Sequence, residues 1–334
     1  MINNSFFCLM AADAHHIRLL LPPHQTNHAT EHDDDLAKHI FDNHFCQRHV
    51  HTATHIITPN DLKAHTNIQP SMLSIVHGWM FEVFRSFQCE AIETWFLYID
   101  IFQRVLFLRC RDKMRARQSM QRNVLQRVAL TCMWIAMKVE EVPFVAGASD
   151  LRALCDDAFS IKEFVQEEVA VLHDVDHRCH RTTIFHVALH VSHHPCVVNQ
   201  MSAKQVNSWL RALWGVLVAN TACNFLSMSS FPIRTLVAAA AFLALPITHL
   251  HAEVEANVSR ALCKLFLSWE LDQNQTRRCF RSMAGALNSM YTLSSNCDVK
   301  KNIPLLFPGI EWTTRTPTFP KGMFKAAQGD VEMT

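Results

Sequence analysis

An all-α fold in two successive five-helix sets is what this sequence predicts, and three observations carry that prediction. Glycine is scarce, with 7 in 334 residues, and β-branched runs are few, which favours helices over strands and tight turns. Apolar residues recur at helical spacing from Pro70 to Met290. After Arg181 the pattern begins again, and this suggests an internal duplication without a strong residue-level repeat.

Residues 1–35 read as a flexible arm with Pro22-Pro23 and scattered histidines. Asp33-Asp34-Asp35 then caps an expected helix over 36–46. The next helix has proline in its first turn, Pro70, and carries Met72, Ile75, Val76, Trp79 and Val83 at helical spacing. A second runs over 90–108, and a third over 123–137 with Leu125, Val128, Ala129, Cys132 and Ile135 inward. A short one covers 148–155. The fifth follows Ser160, a good N-cap, with Ile161, Phe164, Val165, Val169 and Leu172 on one apolar arc. The second set is expected over 182–193, 204–222, 232–245, 254–269 and 272–290. Beyond about 294, four prolines punctuate a flexible C-terminal tail. The expected divisions are therefore the arm 1–35, an N-terminal helix and first set 36–178, a second and more divergent set 179–292, and the tail 293–334.

The formal net charge of +1 gives no global attraction to nucleic acid or acidic membrane, so neither is an expected partner. Twelve cysteines stand singly with no CxxC pair, which fits reduced thiols rather than a disulfide framework. The N-terminus lacks a basic n-region, and the longest uncharged apolar stretch, 235–246, is too short to span a bilayer. A soluble intracellular chain is expected. There is no glycine-rich phosphate loop, HExxH or GxSxG, so catalysis by the chain itself is not expected. His173 and His177 lie near Cys179 and His180, but histidine abounds here, 21 in all, and no metal or cofactor is inferred.

The residues that stand out are two opposite charges beside apolar helix faces. Lys138 ends the apolar helix of TCMWIAMKVEE, residues 131–141, where a cation suits the helix dipole. Glu168 falls among Phe164, Val165 and Leu172 on the fifth helix. A charge at such a place needs a cation or a covering partner.

These segments resemble the cyclin family, and most nearly its D-type members. TCMWIAMKVEE is similar to the family's third-helix signature, and DDAFSIKEFVQEEVAVL, residues 156–172, to its fifth helix. PSMLSIVHGWMFEV, from residue 70, and ETWFLYIDIF, from residue 93, look like the first and second helices. FLSMSSFP, with the alanines at 238–241, is similar to the third helix of a second cyclin box. The resemblance runs over about residues 36–290 and is weaker in the second half. It implies two tandem five-helix cyclin boxes and a regulatory subunit that binds and activates a cyclin-dependent kinase, of the D-type partner class, in nucleus and cytoplasm. Lys138 and Glu168 would contact the kinase's activating helix, with Val139 and Leu172 packing on it. A patch for Arg-x-Leu substrates or inhibitors would comprise Met72, Ile75, Val76, Trp79 and Glu82, joined by Leu125 and Gln126.

The chain departs from the family at several positions. Leu73 stands at the first-helix arginine, Gly78 at the aspartate before the tryptophan, and Ile101 at the arginine after Asp100. The internal ion pair of Asp100 is thereby lost or moved to Arg104. No Leu-x-Cys-x-Glu string is present. Such divergence suits a virus-encoded homologue. The stretch between Arg104 and Arg122 is long and basic, with only Asp112 as counter-charge, and reads as a solvated segment or an anion-binding patch. The alternatives are a cyclin-box transcription-assembly or nucleic-acid-associated protein, and a cyclin-fold scaffold that activates no kinase.

Overall fold

The computed structural model describes residues 62, 68–89, 91–111, 122–141, 147–155, 158–179 and 181–292. Among these no residue is in a strand. The expected arm, the N-terminal helix 36–46, most of the basic segment after Arg111, and the tail lie outside the described residues.

The first set comprises α1 (Pro70–Ser86), α2 (Ile92–Arg111), α3 (Arg122–Glu140), α4 (Ala148–Leu154) and α5 (Ile161–Asp174). The second holds α6 (Ile184–His193), α7 (Pro195–Val198), α8 (Ala203–Cys223), α9 (Phe225–Ser229), α10 (Ile233–Ala244), α11 (Ala252–Ser268) and α12 (Gln273–Thr292). Five long helices of that second set answer to the five expected there. The two short ones, α7 and α9, have no apolar period long enough to announce them.

Local chemistry fixes the helix starts. Ser160 accepts a hydrogen bond from the Glu163 N–H, and the Glu163 carboxylate returns one from the Ser160 N–H at 2.7 Å. Ser202 and Gln205 repeat the arrangement at α8. Helix ends are less comfortable. With few glycines available, Gln88, Asp176, His177, His249 and Glu270 take left-handed backbone angles.

Each set wraps around one central helix. In α3 every residue from Val128 to Met137 is buried, and in α8 every residue from Ala212 to Ala222. Each buried leucine- or valine-sized side chain contributes about 1.5–3 kcal/mol relative to exposure. That burial explains why the inward residues expected on α3, namely Leu125, Val128, Ala129, Cys132 and Ile135, are all in the core.

The sets share an interior seam. Trp95 of α2 donates its indole N–H to the Thr221 hydroxyl of α8 at 2.9 Å, while Thr221 donates onward to the Leu217 carbonyl. Ser74 of α1 donates to the Cys223 carbonyl at 3.2 Å. His77 is fully buried between Tyr98, Phe102 and Phe225, with its Nδ1 2.7 Å from the Tyr98 hydroxyl. Burial pushes its pKa down to about 3, so it packs as a neutral ring.

Candidate functional site

Lys138 lies in the last turn of α3 and reaches across to α5, where its Nζ donates to Glu168 Oε1 at 2.6 Å. The pair is partly wet, with side chains 36% and 17% exposed. Lys138 Nζ also sits 3.5 Å from the ring centroid of Trp134, one turn back on α3. The ammonium is therefore held from two sides, by a carboxylate and by an aromatic face.

Helix α5 divides the apolar arc read from the sequence. Its buried residues are Phe164, Glu167 and Val171. Ile161, Val165 and Val169, read from the sequence as part of one apolar arc, are 43%, 45% and 61% exposed. Leu172 and Val139 are half-buried. The cause is a cationic pocket for Glu167. Arg109 Nη1 meets Glu167 Oε1 at 2.6 Å, and Arg127 Nε meets Glu167 Oε2 at 2.9 Å. Arg109 also holds Asp174 at 2.8 Å, and Arg127 reaches Glu163 at 3.6 Å. A carboxylate with two guanidiniums can enter the interior where a lone one cannot. Burial would lower the Arg109 pKa, but Glu167 and Asp174 more than offset it, and the net direction is upward.

The result is an exposed apolar stripe on α5 at i, i+4, i+8, flanked by the Lys138–Glu168 pair. Periodicity alone could not tell this face from the core face. One signal was present in the sequence: Glu163, Glu167 and Asp174 share a helix face, as residues four and seven apart do.

The acidic pair after Lys138 has a structural member. Glu141 Oε1 accepts from the Thr94 hydroxyl at 2.7 Å and from the Ala91 N–H at 3.3 Å, tying the start of α2 to the end of α3. Burial, then Glu141, drives the nearby Cys89 thiol pKa upward.

On α1 the expected stripe divides. Ile75 is 64% exposed, Glu82 is exposed, and Met72 and Trp79 are half-buried. Val76 and Leu125 are in the core, and Gln126 is half-buried. The α1 core face is instead Leu73, Val76, His77, Met80, Phe81, Val83 and Phe84. Glu82 interacts with Arg85, whose pKa burial lowers and Glu82 partly restores.

The basic stretch is corrected in part. Arg104 pairs with Asp100 at 2.9 Å and donates to the Arg178 carbonyl, so the internal ion pair has moved one turn along α2. Arg109 is consumed by Glu167 and Asp174. Neither contributes to an open anion patch. Lys113, Arg115 and Arg117 lie outside the described residues. Among the described residues no group of three or more His, Cys, Asp or Glu is placed to hold a metal, and His180 lies outside them. No helix among them is long and apolar enough to cross a membrane.

Residues 43–179 match the model of the cyclin N-terminal domain. Relatives include cyclin-B2-2 of Oryza sativa subsp. indica, 32% identical over 34% of this chain and 24% of that protein. G1/S-specific cyclin-E of Drosophila melanogaster is 26% identical over 34% of this chain and 15% of that protein. S-phase entry cyclin-5 of Saccharomyces cerevisiae is 39% identical over 31% of this chain and 22% of that protein. The chain thus matches less than a third of the length of each. Among solved structures, a viral cyclin from Herpesvirus saimiri superposes with a TM-score of 0.51 at 14% identity, covering 67% of this chain and 87% of that one. That likeness concerns the fold alone, which among the described residues of this chain is all-helical.

Proposed function

We propose that this chain is a regulatory subunit that binds and activates a cyclin-dependent kinase and promotes cell-cycle progression, doing no chemistry itself. The observation that carries the reading is the solvent-facing stripe Ile161, Val165 and Val169 beside the Lys138–Glu168 pair. Exposed valines and an isoleucine in line, edged by a fixed charge pair, suit an amphipathic helix of a partner. Val139 and Leu172, half-buried at its margin, extend the apolar contact. The match of residues 43–179 to the cyclin N-terminal domain supports a kinase helix as that partner.

Activation follows from differential binding. A subunit that grips the kinase's activating helix in its inward position favours the conformer in which that helix's glutamate pairs with the catalytic lysine. The relatives carry B-type, G1/S and S-phase cyclin names, so the proposal extends to cyclin-dependent kinases as a class. A D-type partner, a viral source, and a place in nucleus and cytoplasm rest on the sequence reading alone.

The test is co-purification of the full chain with a panel of recombinant cyclin-dependent kinases, followed by a histone phosphorylation assay. Wild type should bind and stimulate at least one kinase, and Lys138→Ala/Glu168→Ala should lose both effects. Retained activation by the double variant, or no kinase bound by wild type, would overturn the proposal; binding without stimulation would identify a scaffold.

A substrate-docking role for α1 is a second reading, favoured by Ile75 at 64% exposure. Met72, Trp79 and Gln126 are half-buried, Glu82 is exposed, and Val76 and Leu125 are buried. Because Arg85 already engages Glu82, an arginine-bearing peptide would have to compete for that carboxylate.

A further inference from the structure

We infer that Trp134 is a positioning residue for the docking surface, acting through Lys138; this rests on the kinase-binding reading above. Lysine carries a long flexible stem, and fixing it on binding costs rotamer entropy. Here the ammonium is fixed beforehand. Lys138 Nζ lies 3.5 Å from the Trp134 ring centroid and 2.6 Å from Glu168 Oε1, so it is pinned between α3 and α5 before any partner arrives. Enough of the side chain, 36%, remains open for a partner's acceptor oxygen.

The ring is suited to this and to little else polar. Trp134 is 6% exposed, and its indole N–H is buried with no acceptor among the described residues. Its one strong polar interaction is therefore through the π face, where the cation sits. Trp134 is itself almost covered, so it acts by holding Lys138 and presents little surface of its own. An aliphatic residue at 134 could fill the interior but could not hold a cation. Preorganisation of this kind raises affinity by lowering the cost of ordering on association.

Two measurements on the full-length chain test the inference. The first uses 13C-lysine labelling, with the Lys138 ε-methylene signal assigned by its loss in Lys138→Arg. Wild type should show that signal shifted upfield by the indole ring current; Trp134→Leu should show it at an ordinary position. An unshifted wild-type signal overturns the inference whatever the kinase result. The second is the dissociation constant for whichever recombinant cyclin-dependent kinase wild type binds. Trp134→Leu should weaken it about three- to thirtyfold, and Trp134→Phe, which keeps a ring, by a smaller factor. Thermal midpoints of both variants report any loss of packing separately. An affinity that tracks the midpoint alone, or is unchanged in Trp134→Leu, makes Trp134 ordinary core. If wild type shows the ring-current shift but binds no kinase, the kinase reading fails and the positioning role falls with it, while the Trp134–Lys138 geometry stands.

Discussion

Arg109 Nη1 and Glu167 Oε1 lie 2.6 Å apart across α2 and α5, with side chains only 15% and 8% exposed. This contact decides which side of α5 faces the protein and which faces solvent. Glu167 takes the inward position because Arg109 and Arg127 neutralise it there, and Ile161, Val165 and Val169 are turned outward as a consequence.

Arg109→Met removes one of the two guanidiniums on Glu167, and the one that holds Asp174, in a mostly dry site. Breaking a buried pair by deleting one partner costs about 3–5 kcal/mol. Urea denaturation should show a loss of that size, with Glu167→Gln in the Arg109→Met background recovering part of it. A loss near zero would mean the cluster is solvated and does not set the rotation of α5.

Val165→Asp and Val169→Asp test the outward stripe. Both side chains are exposed, at 45% and 61%, so stability should stay within about 0.5 kcal/mol. Kinase affinity should fall by about a hundredfold or more in the double variant, since docking would bury two unpaired carboxylates. Severe destabilisation in the thermal scan would place these residues in the core after all.

His77 predicts an acid-sensitive term. Its folded pKa is depressed to about 3 by burial, against an ordinary 6.5, and its ring neighbours Tyr98, Phe102 and Phe225 carry no charge. The unfolded chain takes up a proton below 6.5 while the folded chain does not. The stabilisation is thus whole above pH 6.5 and drains away as pH falls toward 3. Between pH 7 and 5 the expected loss is about 2 kcal/mol from this group. His77→Gln should flatten the curve of unfolding free energy against pH by that amount, and parallel curves would refute the assignment.

Thr221→Val leaves the Trp95 indole N–H without its acceptor in the seam between the helical sets. A buried donor left unsatisfied costs about 1–3 kcal/mol. Thr221→Ser should retain most of the stability, because it keeps the hydroxyl; equal losses in the two variants would point to packing instead.

Glu270 takes a left-handed φ of 53° just after α11 and is exposed. Glycine adopts that angle without a Cβ penalty, so Glu270→Gly should raise stability by about 0.5–1 kcal/mol. A fall in the thermal midpoint would show that the side chain makes a contact worth more than the strain.

Much of the architecture was legible beforehand. Ser160 marks a helix start through its own hydroxyl, and Pro70 marks α1 through its fixed φ, both of which are local effects. The pairing of Lys138 with Glu168 was likewise foreshadowed, because a charge on an apolar helix face needs compensation. The new partner of Asp100 could be named in advance as Arg104, since four residues along a helix is one turn.

Sequence by itself determined the helices, their order and the two charges that would need partners. Only the tertiary structure decided which face of each helix is inside. It withdrew Arg104 and Arg109 from a supposed basic patch, placed Trp134 under Lys138, and turned the valines of α5 to solvent. The physical reason is that helical period records which residues share a face, whereas the sign of a face depends on long-range partners. A glutamate belongs outside until two arginines from other helices meet it, and those arginines lie 58 and 40 residues away in the chain.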